Sequence, residues 1–244
     1  MKAFLMIGQS NMSGRGKIGD LPALPNDHVS VWHGEGFEPA TEPVVRDRPF
    51  SAEGMGLSFG NTVFALTGWD VALIPCSLGG SPLKDWQPGE TLYENAVRDT
   101  VAAVKNGAEL AGILWHQGET DAKEREASET YAARLQKTIG GILADVRAAC
   151  VKEDVSKRIP ARVPVVVGEI GSFLDKEEYP YVPLVNEQIR AFADAHEDCA
   201  CVSSRGLTDR GDRLHFNTRS QRLLGLRYAE CWQELAKGCG SLPE

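Results

Sequence analysis

Short apolar runs rich in Val, Ile and Leu recur along the chain between longer segments in which apolar residues repeat every three or four positions. The runs have the length of buried strands, and the longer segments have the period of amphipathic helices. Strands that alternate with helices are typical of a parallel sheet covered on both faces. The pattern therefore predicts an α/β fold, a three-layer α/β/α sandwich with a central parallel sheet of about five strands. The predicted strands are residues 3–7, 71–75, 112–115, 163–167 and 199–203, and the predicted helices are residues 56–66, 92–105, 123–149, 182–196 and 218–237.

The segment from residue 19 to 48 breaks this alternation, because it is rich in proline and has few periodic stretches. We interpret it as a long excursion that follows the first strand. Loops of this length in compact domains usually have a function, for example as a lid. Neither an internal repeat nor an interdomain linker divides the chain, so residues 1–244 are predicted to form one domain.

The composition narrows the possible partners. The chain has 244 residues, of which 42% are hydrophobic and 25% charged, and its net charge is -8. An acidic chain argues against nucleic acid and anionic membranes, which attract clustered Lys and Arg. No apolar run approaches the ~20 residues of a membrane span. We expect a cytoplasmic protein with a small neutral substrate, or a secreted one if a leader peptide was removed; the oligomeric state stays open.

Six cysteines lie in apolar surroundings and lack the paired spacing of a zinc site. Most are predicted to be free thiols, and neither a metal nor another cofactor is expected. Cys231 and Cys239 could pair if the protein is secreted.

Chemically reactive segments follow four of the five predicted strands. Open α/β sheets bind their ligands outside the carboxyl ends of the strands, so these segments are expected to meet at one edge. They are Gly-Gln-Ser-Asn-Met at 8–12, Cys-Ser-Leu-Gly-Gly-Ser at 76–81, His-Gln-Gly-Glu-Thr-Asp at 116–121, and a loop with Asp209, Asp212 and His215.

These segments hold the groups that acyl transfer requires. A serine hydroxyl becomes a good nucleophile when an imidazole takes its proton and a carboxylate holds that imidazole in one tautomer. Ser10, His215 and Asp212 can fill these roles. The oxyanion of the tetrahedral intermediate needs fixed donors, which the backbone amides of Ser10 and of a glycine at 79–80, with the Gln117 side chain, could supply.

The four segments, in this order and over nearly the whole chain, resemble the sialate O-acetylesterase-like branch of the SGNH hydrolases, which includes the acetylxylan esterases of carbohydrate esterase family 6. The resemblance implies a flavodoxin-like α/β/α hydrolase fold and metal-free removal of acetyl groups from sugars. It also implies that Ser10 is the nucleophile, that His215 is the base and that Gln117 is an oxyanion donor. By analogy alone, Gly80 is preferred to Gly79 as the backbone donor.

The resemblance leaves the third member of the triad open between Asp212 and Glu119. Their positions in the sequence favour Asp212, because a side chain three residues before His215 in the same loop can reach its Nδ1. Glu119 would then brace Gln117 or the active-site loops through hydrogen bonds. His116, which directly follows the third predicted strand, is the main alternative to His215 as the base.

Other residues are candidates for substrate binding. Arg15 could line the pocket or anchor the nucleophile loop, and Glu169 follows the fourth predicted strand at the same edge. Trp86, Phe37 and Trp32 could stack on a sugar ring.

Two alternatives to a sugar O-acetylesterase remain. One is a noncatalytic carbohydrate-binding relative, and the other is an esterase or thioesterase for short non-sugar acyl groups, because catalytic groups do not specify the leaving group. The acetylated substrate itself is not determined by these observations.

Overall fold

A central sheet of seven strands runs through the protein in the computed structural model, which describes residues 1–240 and 242. The strands are β1 (Lys2–Gly8), β2 (Val29–Trp32), β3 (Phe37–Pro39), β4 (Val71–Pro75), β5 (Glu109–His116), β6 (Val165–Gly168) and β7 (Cys199–Val202). Their spatial order is β3-β2-β4-β1-β5-β6-β7, and every neighbouring pair is parallel except β2 and β3.

The helices are α1 (Ser10–Ser13), α2 (Gly56–Thr67), α3 (Thr91–Lys105), α4 (Arg125–Glu129), α5 (Tyr131–Lys152), α6 (Val182–Asp194) and α7 (Thr218–Gly238). The predicted helix at 123–149 is therefore two helices, which meet at Thr130. No helix in the described part of the chain is long and apolar enough to cross a membrane.

Helices cover both faces of the sheet, and the side chains of β1 show why. Phe4 and Met6 belong to a core cluster with α2 and α7, whereas Leu5 and Ile7 belong to a second cluster with α3, α5 and α6. Alternate residues of a strand point to opposite faces, so a central strand that is apolar throughout requires cover on both sides. The predicted three-layer α/β/α sandwich is confirmed.

The number of strands differs from the prediction, because the proline-rich excursion adds two strands to one edge of the sheet. Within residues 19–48, Val29 pairs with Val71 of β4, and β3 then pairs antiparallel to β2. These strands have four and three residues. Runs this short carry little periodic signal, and only pairing with β4 identifies them as strands.

The structure does not allow Cys231 to pair with Cys239, a possibility that the sequence left open. All six cysteines are free. Cys231 lies within α7, and Cys239 is the residue that caps its end. A rise of ~1.5 Å per residue separates the two by ~12 Å along the axis, beyond the ~7 Å between Cα atoms that a disulfide can span.

Candidate active site

A cavity of about 590 Å³ opens at the carboxyl edge of the sheet, beside the ends of β1 and β5. Its lining includes Ser10, Gly80, Thr120 and His215, which come from four segments that are distant in sequence. Parallel strands bring their carboxyl ends to one edge, and a central strand brings the loops on either side within reach. The fold thus assembles the four reactive segments around one cavity.

The end of β1 places Ser10 at the base of this cavity. Gly8 has φ +141°, and a Cβ there would lie 2.1 Å from the carbonyl oxygen of His116, so this close approach requires glycine. The amide of Gln9 donates to the same oxygen at 3.0 Å. The chain then turns into α1, which begins at Ser10.

His215 lies between Ser10 and Asp212. Its Nε2 is 3.0 Å from Ser10 Oγ, and its Nδ1 is 2.7 Å from Asp212 Oδ2. A carboxylate facing Nδ1 favours the tautomer in which Nδ1 carries the proton and Nε2 accepts one. The arrangement can move a proton from the serine hydroxyl to the imidazole, as in serine hydrolases.

The loop that precedes His215 holds the Asp212 carboxylate with several donors. Its Oδ1 accepts the backbone N–H groups of Leu214 at 3.0 Å and His215 at 2.8 Å, and its Oδ2 also accepts Arg210 Nε at 2.7 Å. Burial by itself would raise the pKa of Asp212, but these hydrogen bonds hold that pKa below its ordinary value. The carboxylate stays ionised beside the imidazole.

Burial has the opposite effect on the imidazole. It lowers the pKa of His215 from its ordinary 6.5, because desolvation outweighs the attraction of Asp212 for the charged form. The ring is therefore neutral at pH 7, the state in which Nε2 can accept a proton.

Glu119, the alternative acid, contacts a different residue. Its carboxylate accepts a hydrogen bond from the Asn11 side chain, and His215 Nδ1 is engaged by Asp212. Glu119 is fully buried, which raises its pKa to about 7. The structure does not place it to orient the imidazole.

Asn11, which the motif analysis did not single out, links Glu119 to the histidine loop. Its Oδ1 accepts Phe216 N at 3.0 Å, and its Nδ2 donates to Leu214 O at 3.2 Å as well as to Glu119. These two backbone groups flank His215. The buried amide therefore holds the loop on both sides of the imidazole, and Glu119 holds the amide.

The structure conflicts with the expected role of Gln117 as an oxyanion donor. Gln117 is fully buried, and its Nε2, which carries two hydrogens, has acceptors at Gln9 Oε1, Ser81 O and Asp121 Oδ2 at 3.1, 3.2 and 2.7 Å. Its Oε1 accepts the Tyr131 hydroxyl at 2.8 Å. No N–H of this side chain remains for an oxyanion.

The end of the neighbouring strand β1 supplies a free side-chain amide instead, that of Gln9. Gln9 Oε1 accepts from Gln117 Nε2 at 3.1 Å and from Thr120 N at 3.3 Å, which fixes the orientation of the Gln9 side chain through its oxygen. Gln9 lines the cavity, and its NH₂ group has no acceptor among residues 1–240 and 242. The sequence contains both glutamines in neighbouring motifs and does not distinguish which amide is free.

Two backbone amides also face this region without an acceptor in the described part of the chain, those of Ser10 and Gly80. Gly80 has φ +80°, a conformation that glycine adopts readily. Gly79 differs, because its N–H donates to Asp47 Oδ2 at 2.7 Å. Of the two glycines, only Gly80 keeps an amide available for an oxyanion.

Arg15 forms part of the cavity wall and is anchored behind it. The side chain is 2% exposed, and its Nη2 lies 2.8 Å from Asp47 Oδ2. A Cβ at Gly79 would lie 2.5 Å from Arg15 Nη2, so the glycine allows the guanidinium to approach. The contacts favour the anchoring role over direct substrate binding.

Five other candidates lie outside this cavity. Glu169 binds Arg190, Ser203 Oγ and Ser204 N, so its carboxylate has structural partners. His116 is fully buried, contacts the Tyr228 hydroxyl and does not line the cavity, so it is not placed to take a proton from Ser10. The aromatic candidates are core residues: Trp86 and Trp32 are buried, and Phe37 packs on Trp32.

Within residues 1–240 and 242, no cluster of three or more His, Cys, Asp or Glu side chains is arranged to hold a metal ion. The arrangement at the cavity thus consists of a hydroxyl, an imidazole, a carboxylate and three free amide groups.

Solved structures identify the class of protein. The Arabidopsis thaliana protein AT4G34215 superposes with a TM-score of 0.83 at 27% identity, covering 96% of this chain and 98% of that one. XAC1771, a carbohydrate acetylesterase from Xanthomonas citri, gives 0.67 at 18% identity over 97% and 56% of the chains. A lipase/acylhydrolase from Enterococcus faecalis gives 0.54 at 13% identity over 100% and 98%. The fold is that of the SGNH hydrolases.

Sequence comparison extends the class to a family. A family model described as carbohydrate esterase, sialic acid-specific acetylesterase, matches residues 1–234. The probable carbohydrate esterase At4g34215 of Arabidopsis thaliana is 28% identical over 250 residues, which are 94% of this chain and 89% of that protein. The chain belongs to this carbohydrate esterase family and is a carboxylic ester hydrolase. The family resemblance found in the four motifs is confirmed.

Proposed function

We propose that this protein is a serine esterase that removes O-acetyl groups from carbohydrates through an acyl-enzyme intermediate. The observation that carries the proposal is the unbroken hydrogen-bond series from Ser10 Oγ through His215 to Asp212 at a cavity that a substrate can enter. Membership in a carbohydrate esterase family supports a sugar as the alcohol part of the ester.

In the first half-reaction, Ser10 Oγ attacks the acetyl carbonyl carbon while His215 Nε2 takes the hydroxyl proton. The tetrahedral intermediate places its negative oxygen against the amides of Ser10 and Gly80 and the NH₂ group of Gln9. His215 then returns the proton to the sugar oxygen as the C–O bond breaks. The products of this half are the free sugar and acetyl-Ser10.

In the second half-reaction, water takes the place of the sugar. His215 accepts a proton from this water as its oxygen attacks the acetyl carbon, and the same amides hold the new oxyanion. Collapse of the intermediate returns the proton to Ser10 Oγ and releases acetate. Asp212 keeps the imidazole oriented through both halves and stabilises its protonated form.

The test is hydrolysis by the wild type and by two variants, Ser10→Ala and His215→Ala. The substrates are acetylated sugars and a series of simple esters of increasing acyl length. We expect each variant to lose kcat on the order of 10⁶-fold with the fold intact, as measured by circular dichroism. We expect activity to fall steeply beyond a two-carbon acyl group.

Ser203→Ala and His28→Ala are matched controls, because both residues are exposed and lie outside the cavity. Near-normal turnover by Ser10→Ala would contradict the serine mechanism. Turnover of simple esters or thioesters without any turnover of acetylated sugars would replace the sugar substrate by a short non-sugar acyl compound. Sugar binding without hydrolysis or labelling of Ser10 by a fluorophosphonate would indicate a noncatalytic binding protein.

A further inference from the structure

A tight turn at residues 47–51 forms one wall of the cavity. The Ser51 hydroxyl donates to Asp47 Oδ1 at 2.7 Å and accepts the backbone N–H of Arg48 at 2.9 Å, and Ser51 N donates to Arg48 O at 3.0 Å. These three hydrogen bonds close the turn on itself. Its shape is therefore defined without any bound substrate.

Asp47 also fixes this turn to the rest of the site. Its carboxylate binds the buried Arg15 guanidinium of the nucleophile loop and the N–H of Gly79 in the loop after β4. Hydrogen bonds to Arg15 and Ser51 hold the pKa of Asp47 below its ordinary value although burial opposes them. The turn is thus held at a set position relative to Ser10.

Phe50 lies in this turn and is exposed to solvent. Its side chain is 68% exposed, and no other large apolar side chain in residues 1–240 and 242 is more exposed. It belongs to neither core cluster and lines the same cavity as Ser10 and His215. The Arg15 guanidinium carbon lies 5.3 Å from the ring centroid and backs the ring.

The Phe50 ring lies on a turn closed by its own hydrogen bonds and belongs to neither core cluster. An exposed ring in this position offers a surface suited to a ligand with an apolar face. The C–H groups on one face of a pyranose ring form such a surface, whereas the acetyl group is too small to need it. Arg48, which also lines the cavity, donates Nη2 to Gly79 O at 3.2 Å and presents its remaining N–H groups to solvent. Those groups can donate to sugar hydroxyls.

We infer that Phe50 is the platform on which the sugar ring of the substrate stacks, and that it determines the preference for sugar esters over simple acetyl esters. This inference rests on the proposed function, since it assigns the alcohol part of the same ester. Phe50 takes no part in proton transfer and contributes to binding alone.

The test compares Phe50→Ala with the wild type on an acetylated monosaccharide and on ethyl acetate, which has no ring. Loss of the stacked ring is expected to raise KM for the sugar ester ~10-fold with kcat retained. KM for ethyl acetate is expected to stay within about two-fold, since that ester has no surface to stack on the ring. Phe50→Tyr is expected to restore the sugar KM, because it keeps the aromatic face.

Val151→Ala is the matched control, since Val151 is 66% exposed on α5 and outside the cavity. An equal rise in KM for both esters, or no change in KM for either, would contradict the role of Phe50 as the platform. If the wild type hydrolyses the sugar ester and Phe50→Ala matches it, only the platform fails. If the wild type hydrolyses ethyl acetate and no acetylated sugar, the proposed function fails and the platform fails with it.

Discussion

Asp212 and Glu119 are two carboxylates that act near the same imidazole, and their surroundings differ in the number of donors. Asp212 is 32% exposed and accepts hydrogen bonds from two backbone N–H groups, the imidazole and Arg210. Glu119 is fully buried; its Oε1 accepts a hydrogen bond from the Asn11 side chain, and its Oε2 has no partner among residues 1–240 and 242. The first has its pKa lowered, whereas burial raises the pKa of the second to about 7.

Burial and the supply of donors together separate the two carboxylates: full burial raises the pKa of Glu119 to about 7, whereas several donors hold the pKa of Asp212 below its ordinary value. An ionised Asp212 can stabilise a protonated imidazole during the reaction. Glu119 reaches the same loop only through Asn11, so its effect on His215 is one of position. We therefore expect kcat to fall by different amounts when each carboxylate is replaced by the corresponding amide.

The largest difference is expected for Asp212→Asn. The amide presents an N–H to Nδ1, which leaves the imidazole in the wrong tautomer, and we expect kcat to fall by ~10⁴-fold. Steady-state kinetics on a small acetyl ester measures the loss, and the thermal midpoint shows whether the loop is still folded. A fall of less than ~10-fold would remove Asp212 from the triad.

Gln9→Glu is expected to have an intermediate effect. The substitution keeps the oxygen that Gln117 and Thr120 bind but replaces the free NH₂ group by a second oxygen. Loss of one oxyanion donor lowers kcat by ~10²–10³-fold. Gln188→Glu, on α6 and outside the cavity, is the matched control. Retention of kcat by Gln9→Glu would leave the two backbone amides as the whole oxyanion hole.

Glu119→Gln is expected to have the smallest effect on activity, less than ~10-fold in kcat, because Asn11 keeps an oxygen to bind. Its clearer effect is on stability. The folded pKa of about 7 lies above the ordinary 4.5, so the folded protein holds a proton that the unfolded chain releases. This contribution is complete below pH 4.5 and is lost as the pH rises through 7.

Denaturant unfolding between pH 4.5 and 8 measures this effect. We expect the free energy of unfolding of the wild type to decrease with pH more steeply than that of Glu119→Gln, by on the order of 3 kcal/mol. Glu42→Gln is a matched comparison, because burial also raises the pKa of Glu42 to about 7 and Glu42 does not line the cavity. Equal slopes for the wild type and Glu119→Gln would show that Glu119 is ionised in the folded protein.

Most of the fold could be predicted from the chain, since each of the five predicted strands overlaps an observed strand and the segments of helical period lie in helices. The two missed strands are short, and β2 exists as a strand because Val29–Val31 pairs with β4. Phe50, which we propose as the platform, is a single aromatic residue in an irregular turn, and no periodic pattern marks such a residue.

Some residues of the candidate site could likewise be predicted from the sequence, and others could not. Ser10 and His215 could be proposed from the sequence because each lies in a short motif, and the sequence favoured Asp212 as the acid while leaving Glu119 open. Gln117 was predicted as the oxyanion donor and Gln9 was missed, because both carry the same amide group and the sequence does not show which amide has partners. Only the tertiary contacts with Ser81, Asp121 and Tyr131 show that the amide of Gln117 is already engaged.

The linear chain was thus sufficient for the class of fold and the family, and it supplied the proposed nucleophile and base, Ser10 and His215. Strand periodicity and motif geometry depend on residues that are close in sequence. The tertiary structure decided the orienting acid, the free amide and the open aromatic ring. Those properties depend on which distant groups donate, accept or exclude water at each side chain, and a linear pattern does not contain that information.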